Sequence, residues 1–174
     1  MTGFVALLRG INVGGRNMVK MDALKALHES LGFKGVRTHL QSGNVVFQAK
    51  SADAARIERA IKKTLHLELT VIVRTAGELR EAVKRNPLPQ RVSHSSGYVI
   101  AFLSAEPEDP GALDAYDGPE ERRLLGRDLY IHYGDGMGRS KLTNALIERK
   151  LGVKATARNW NTVTKLLELC ELLD

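Results

Sequence analysis

Short apolar runs alternate along this chain with longer stretches in which apolar residues recur every three or four positions, and the alternation lays out a fold. FVALLR (residues 4 to 9) is short, apolar and ended by glycine, which predicts a buried strand. Met21, Leu24, Leu27 and Leu31 then recur at helical spacing, and Gly32 followed by Phe33 has the form of a glycine C-cap with its hydrophobic contact. Two further strands, VRTHL and NVVFQ, are joined through Gln41, Ser42 and Gly43, where glycine supplies the positive φ of a tight hairpin. A helix over residues 54 to 65 turns Ile57, Ala60, Ile61 and Leu65 inward, and TVIVR (70 to 74) is a β-branched strand. The first 74 residues therefore read βαββαβ.

GELREAVKR (77 to 85) predicts a linking helix stopped by Asn86-Pro87, and PLPQRVSHSSG an irregular connector. A second series follows: YVIAFL (98 to 103) as a strand, a short helix within EPEDPGALDAY, and a hairpin of RRLL and RDLYIHY through Gly126. SKLTNALIERKL (140 to 151) predicts a helix beginning at Ser140, and VKATA (153 to 157) a last strand. A final helix, residues 162 to 173, carries Val163, Leu166, Leu167, Cys170 and Leu173 on one stripe that packs on the sheets. The expected class is α+β: two ferredoxin-like βαββαβ plaits with antiparallel sheets and a C-terminal helix packed on them. The expected divisions are residues 1 to 74 for the first plait, 75 to 97 for the helical linker and connector, 98 to 158 for the second plait and 159 to 174 for the last helix.

Composition changes this picture little: 43% hydrophobic and 26% charged residues are globular values, and 174 residues suffice for a real core. No stretch approaches the roughly 20 apolar residues of a membrane span and FVALL is too short for a signal peptide, so a cytoplasmic protein without membrane attachment is expected. The single cysteine, Cys170, lies among leucines and reads as a packed thiol. Charge is more informative. The net +6 is segregated: residues 1 to 74 hold 12 basic and 5 acidic side chains, residues 104 to 138 hold 3 and 9, and residues 139 to 165 hold 7 and 1. Such asymmetry favours anionic partners, with a solvated basic face as the plain alternative.

In a βαββαβ plait the turn after the first strand and the hairpin between the second and third emerge at one end of the sheet. That places Arg9, Asn12, Gly14, Gly15, Arg16 and Asn17 beside Gln41, Ser42 and Asn44. The same topology brings GDGMGRSK (134 to 141) beside ARNWN (157 to 161), and so Arg139, Ser140 and Lys141 beside Arg158, Asn159 and Trp160. Glycine-rich turns before helices expose unpaired N–H groups, and cations at a helix start oppose its dipole unless an anion is near. Both loops are therefore candidate anion sites. The structural alternative is that the glycines only turn the chain, Ser140 caps a helix, the cations meet solvent or Asp135, Asn159 or Asn161 caps the last helix, and Trp160 anchors the core.

Neither loop carries a phosphate-binding fingerprint, since GINVGG is not G-x-G-x-x-G and GMGRSK is not G-x-x-x-x-G-K-[ST]. The strands lack the aromatic pattern of an RNA-recognition motif, which leaves phosphate-backbone contact as the nucleic-acid mode. His28, His39, His66, His94 and His132 show no ligand spacing, so no metal and no cofactor is expected. His132 and Tyr133 precede the second glycine loop, near Ser140 and Lys141, but without a visible set of nucleophile, base and orienting group.

LLRGINVGGRN, THLQSGNVVF, SKLTNALIERKLG and TARNWNTVTKLLEL together resemble the DUF1697 family of bacterial proteins over nearly the whole chain. The resemblance implies a pair of ferredoxin-like plaits and a family whose biochemical activity is not established. Three functions fit these features. The first is binding of an anionic ligand, either nucleic-acid backbone or a phosphorylated small molecule. The second is an enzyme with a site around His132, Ser140, Lys141 and Asn159. The third is a structural or partner-binding module. Oligomeric state has no signal here.

Overall fold

The computed structural model describes residues 1 to 134 and 136 to 174, and its chain divides into two compact units. The first comprises Met1–Glu81 and Lys165–Asp174, the second Ala82–Thr164. Asp135, named above as a possible neighbour of the cations, lies outside the described residues.

The first unit runs β1 (Thr2–Leu8), α1 (Met21–Ser30), β2 (Lys34–His39), β3 (Asn44–Ala49), α2 (Ala54–Leu65) and β4 (Val71–Thr75). The strands form an antiparallel sheet in the order β2-β3-β1-β4, the plait expected from the sequence. Alternation along β1 turns Phe4, Ala6 and Leu8 into a core completed by Leu24, Leu27, Ile57 and Ile61 from the helices. Phe33 stacks on Phe47 at 4.2 Å within it. Val5 and Leu7, on the opposite face, are equally buried, which is why β1 is an unbroken apolar run rather than an alternating one. The chain's last residues tie to this sheet: Gly3 N–H donates to Asp174 Oδ1 at 2.6 Å, and Gln48 Nε2 to the Leu173 carbonyl at 2.6 Å.

A third helix, α3 (Ala76–Lys84), follows β4 without a loop. Thr75 and Glu78 close its start as a capping box, each side chain accepting the other residue's backbone N–H.

The second unit runs β5 (Tyr98–Leu103), β6 (Glu121–Leu125), β7 (Asp128–His132), α4 (Asn144–Leu151) and β8 (Ala155–Asn159), with its sheet in the order β6-β7-β5-β8. The two strand orders are equivalent. One face of the sheet packs Val99, Ala101, Leu103 and Ile131 against Ile147 and Leu151 of α4. The segment before β6 differs from the expected short helix: residues 105 to 109 are bends and irregular chain and 110 to 115 are turns. Pro107 and Pro110 remove donors, and Asp109 Oδ1 takes the Gly111 N–H at 3.0 Å. Leu113 still fills the core, and Arg122 fixes the segment through the Leu113 and Tyr116 carbonyls at 2.9 and 2.7 Å.

Helix α4 starts at Asn144 rather than at Ser140, because Thr143 Oγ1 accepts the Leu146 N–H at 3.2 Å and is the N-cap. Arg139 and Lys141 therefore precede the helix and do not stand in its first turn, and the dipole conflict expected from the sequence does not arise there. A 3-10 turn, Met137–Arg139, occupies that place. The last helix, α5 (Trp160–Glu171), begins two residues earlier than expected, capped by Asn159 Oδ1 on the Thr162 N–H at 2.9 Å. No described helix is long and apolar enough to cross a membrane, and the described residues include no group of three or more potential metal ligands.

Candidate functional site

In the first unit the two loops meet as the topology requires. Asn12, half-buried at φ 53°, donates from Nδ2 to the Gln41 carbonyl at 2.8 Å, while its Oδ1 accepts the Val19 N–H at 2.8 Å. Asn17, at φ 50°, donates to the Gly10 carbonyl at 3.1 Å, and the buried Asn44 donates to the His39 carbonyl and to Ser42 Oγ at 2.7 and 3.1 Å. Gly14 and Gly15 are exposed at φ 57° and 73°, the consecutive positive values of a tight turn closed by Arg16 N–H on the Val13 carbonyl. The amides and asparagines singled out in RGINVGGRN and QSGN thus bond mainly to one another. They build a braced knuckle from which Arg16 and Lys20 project into solvent, and Arg9 is half-buried at its base.

The second unit holds a cavity of about 370 Å³. Its walls come from Arg91, from the residues just before and at the start of β6, from the end of β7, and from the loop leading to Ser140. The sequence places that loop at the same end of the sheet as residues 157 to 161. His132 and Asn159 do lie at the same end of the sheet, paired with Tyr98 and Val99, but β5 stands between them. The loop turns the other way, onto Glu120.

Glu120 is the centre of the arrangement. It is 7% exposed, and its carboxylate accepts from Ser140 Oγ and from Tyr116 OH, the latter at 3.0 Å. Burial alone pushes its carboxyl up, but the hydrogen bonds from Ser140 and Tyr116 and the nearby Arg122 outweigh burial and hold it below the usual range. Ser140 Oγ also accepts the Leu142 N–H at 3.0 Å, so this side chain pins the loop to the carboxylate. Glu121 pairs with Arg91. His132 lies against His94, ring centroids 6.0 Å apart, and is kept below its ordinary value by burial first and then by Arg91 and His94. It is therefore a neutral imidazole at pH 7. Tyr133, with its hydroxyl donating to the Leu142 carbonyl at 2.8 Å and its proton held up to about 12, closes the wall as a fixed donor.

Of the candidates in this half, Arg139 and Ser140 line the cavity and His132 joins them. Lys141 is exposed beside it. Arg158 is buried in β8, where it donates to Thr156 Oγ1 and the Ala157 carbonyl at 2.6 and 2.9 Å, and burial lowers it to about 10. Asn159 is spent as a helix cap, and Trp160 is 8% exposed and stacked on Tyr98 at 5.5 Å. None of the last three lines the cavity. Sequence reasoning missed Arg91, Glu120 and Glu121. The signal available was the abrupt change from an acidic segment, ending near Gly138, to a basic one beginning at Arg139, since the fold brings those opposite charges to one wall.

A family model described as a protein of unknown function, DUF1697, matches residues 1 to 130 of the chain. No curated protein matches it in sequence. Among solved structures, a conserved bacterial protein from Streptococcus pneumoniae is similar in fold, with a TM-score of 0.70 at 18% identity over 97% of this chain and 98% of that one.

Proposed function

We propose that this chain, which belongs to the DUF1697 family, binds a small anionic ligand in the cavity of its second unit. The observation that carries this reading is the pairing of charges around that cavity. Glu121 is compensated by Arg91, and Glu120 by Arg122 and two hydroxyl donors. Arg139, exposed on the rim, forms no ion pair among the described residues. A concave site with a guanidinium that has no ion-pair partner among the described residues attracts a carboxylate or phosphate, which that planar fork bonds in bidentate fashion. The volume is that of a metabolite-sized ligand. The alternative enzyme site around His132, Ser140, Lys141 and Asn159 draws less support, because Lys141 and Asn159 lie off the cavity and the Ser140 hydroxyl is committed to Glu120 and Leu142.

The test is a thermal-shift and calorimetric titration of the whole protein with inorganic phosphate, hexose phosphates, nucleoside monophosphates and small dicarboxylates. Saturable stabilisation by at least one of them, abolished in Arg139→Ala, is the expected result. Stabilisation that survives Arg139→Ala, or none with any anion at millimolar concentration, overturns the reading.

A further inference from the structure

Resting on that reading of the cavity, we infer that the ligand is a phosphorylated polyol: its phosphate sits on Arg139 and one of its hydroxyls donates to the Glu120 carboxylate. A site built for a bare anion does not place an ionised carboxylate in its wall, because like charges repel at short range in a partly buried setting. Here Glu120 faces the cavity and stays ionised. Its protein donors are Ser140 on Oε1, Tyr116 on Oε2 and its own backbone N–H. Each carboxylate oxygen accepts two hydrogen bonds, so one of the four positions remains for a donor arriving from the cavity. The ligand must therefore carry a donor as well as negative charge.

Charge decides which donor. With Glu121 held by Arg91 and Glu120 flanked by Arg122, Arg139 is the cation of the cavity wall that has no ion pair among the described residues. An ammonium group would meet two guanidinium groups across the same small space, whereas neutral hydroxyls reach Glu120 without that repulsion. The neutral His132 ring supplies one further donor or acceptor to the same hydroxyls. Phosphate and hydroxyl are thus recognised at separate walls, which makes the site selective for a molecule carrying both.

Calorimetric titration of the whole protein with inorganic phosphate, glycerol 3-phosphate, glucose 6-phosphate, free glucose and phosphoethanolamine separates the terms. A hydrogen bond from a hydroxyl to an ionised carboxylate corresponds to about tenfold or more in affinity. The polyol phosphates are therefore expected to bind at least that much more tightly than inorganic phosphate. Glu120→Gln is expected to remove the difference without weakening the binding of phosphate itself, and phosphoethanolamine to bind no better than phosphate.

Equal affinities for phosphate and the polyol phosphates, or tightest binding of phosphoethanolamine, overturn the polyol inference and leave the anion reading standing. Binding of none of the phosphates overturns the polyol inference, and overturns the anion reading as well when the small dicarboxylates also fail to bind. The ligand comparison on the unaltered chain decides the matter even if Glu120→Gln does not fold.

Discussion

Replacing Ser140 by alanine removes one donor from a buried, ionised carboxylate and one acceptor from the Leu142 N–H, with almost no change in volume. A hydrogen bond to a charged group contributes roughly 1.5 to 3 kcal/mol, and an orphaned buried amide costs about 1 kcal/mol. Leu142 is 1% exposed, so water does not replace the lost acceptor. The expected loss is about 3 kcal/mol at pH 7, a large part of the stability of a single domain.

The pH dependence identifies the cause. In the native chain Glu120 titrates below its ordinary value of 4.5, so its ionised form contributes stability above that pH, and the contribution is lost as the pH falls through the depressed value. Without Ser140, burial is less opposed and the carboxyl moves up. The gap between the two proteins should therefore narrow as the pH falls from 7 toward 4, approaching the roughly 1 kcal/mol of the lost amide partner once both carboxyls are protonated. Urea unfolding at several pH values measures this gap directly. A gap that is the same at pH 7 and pH 4 would refute the assignment of Glu120 as an ionised group held by Ser140.

Four other outcomes are expected. Gly43→Ala places a Cβ 2.6 Å from Ile11 Cδ1 and 2.9 Å from Leu8 Cβ at φ +87°, whereas Gly14→Ala, at φ +57°, meets nothing within 4 Å. Denaturant titrations should give about 2 to 4 kcal/mol of destabilisation for the first and about 1 for the second, and equal losses would contradict the contact between loop and hairpin. Leu40 is 55% exposed at φ 62°, so Leu40→Asn should raise stability by about 0.5 to 1 kcal/mol, read as a higher Tm. Asn159→Ala should cost about 1 kcal/mol as a lost helix cap and leave ligand affinity untouched in calorimetry; a selective loss of affinity would return Asn159 to the site. Burial lowers the pKa of His28, whose Nδ1 bonds the Leu24 carbonyl at 2.8 Å, so its contribution is lost as the pH falls below 6.5. His28→Leu should flatten the pH dependence of stability between pH 7 and 5, checked by unfolding at the two pH values.

Local chemistry made most of the architecture legible along the chain. Apolar runs ended by glycine gave the strands their places, the repeat of three to four gave α1 and α2, and the plait order followed from strands separated by helix-length crossovers. The register of Ile100 against Arg158 and of Val5 against Arg74 places an arginine at the same position of the last strand in each sheet, a correspondence that only pairing reveals. The short helix expected within residues 106 to 116 does not form because Pro107 and Pro110 remove donors and Asp109 bonds the backbone beside it. Helix α4 is capped by Thr143 rather than by Ser140, although serine and threonine are both good caps, because Ser140 has a charged partner far away in sequence.

That partner marks the boundary between the two kinds of information. That Arg139 and Ser140 stand on a glycine-rich loop after the third strand of the second series depends only on neighbours along the chain and is legible there. Whether the loop faced β8 or β6 was decided by tertiary structure, because β5 separates the two sides and the choice rests on a bond spanning 20 residues, from Ser140 to Glu120. The same holds for Arg158 and Trp160. Their residue types suit an anion site, but burial depends on the sheet and helix around them, and it turned one into a strand-bound guanidinium and the other into a stacking partner of Tyr98. A residue's chemistry is local, whereas its access to solvent and to an opposite charge is a property of the whole fold.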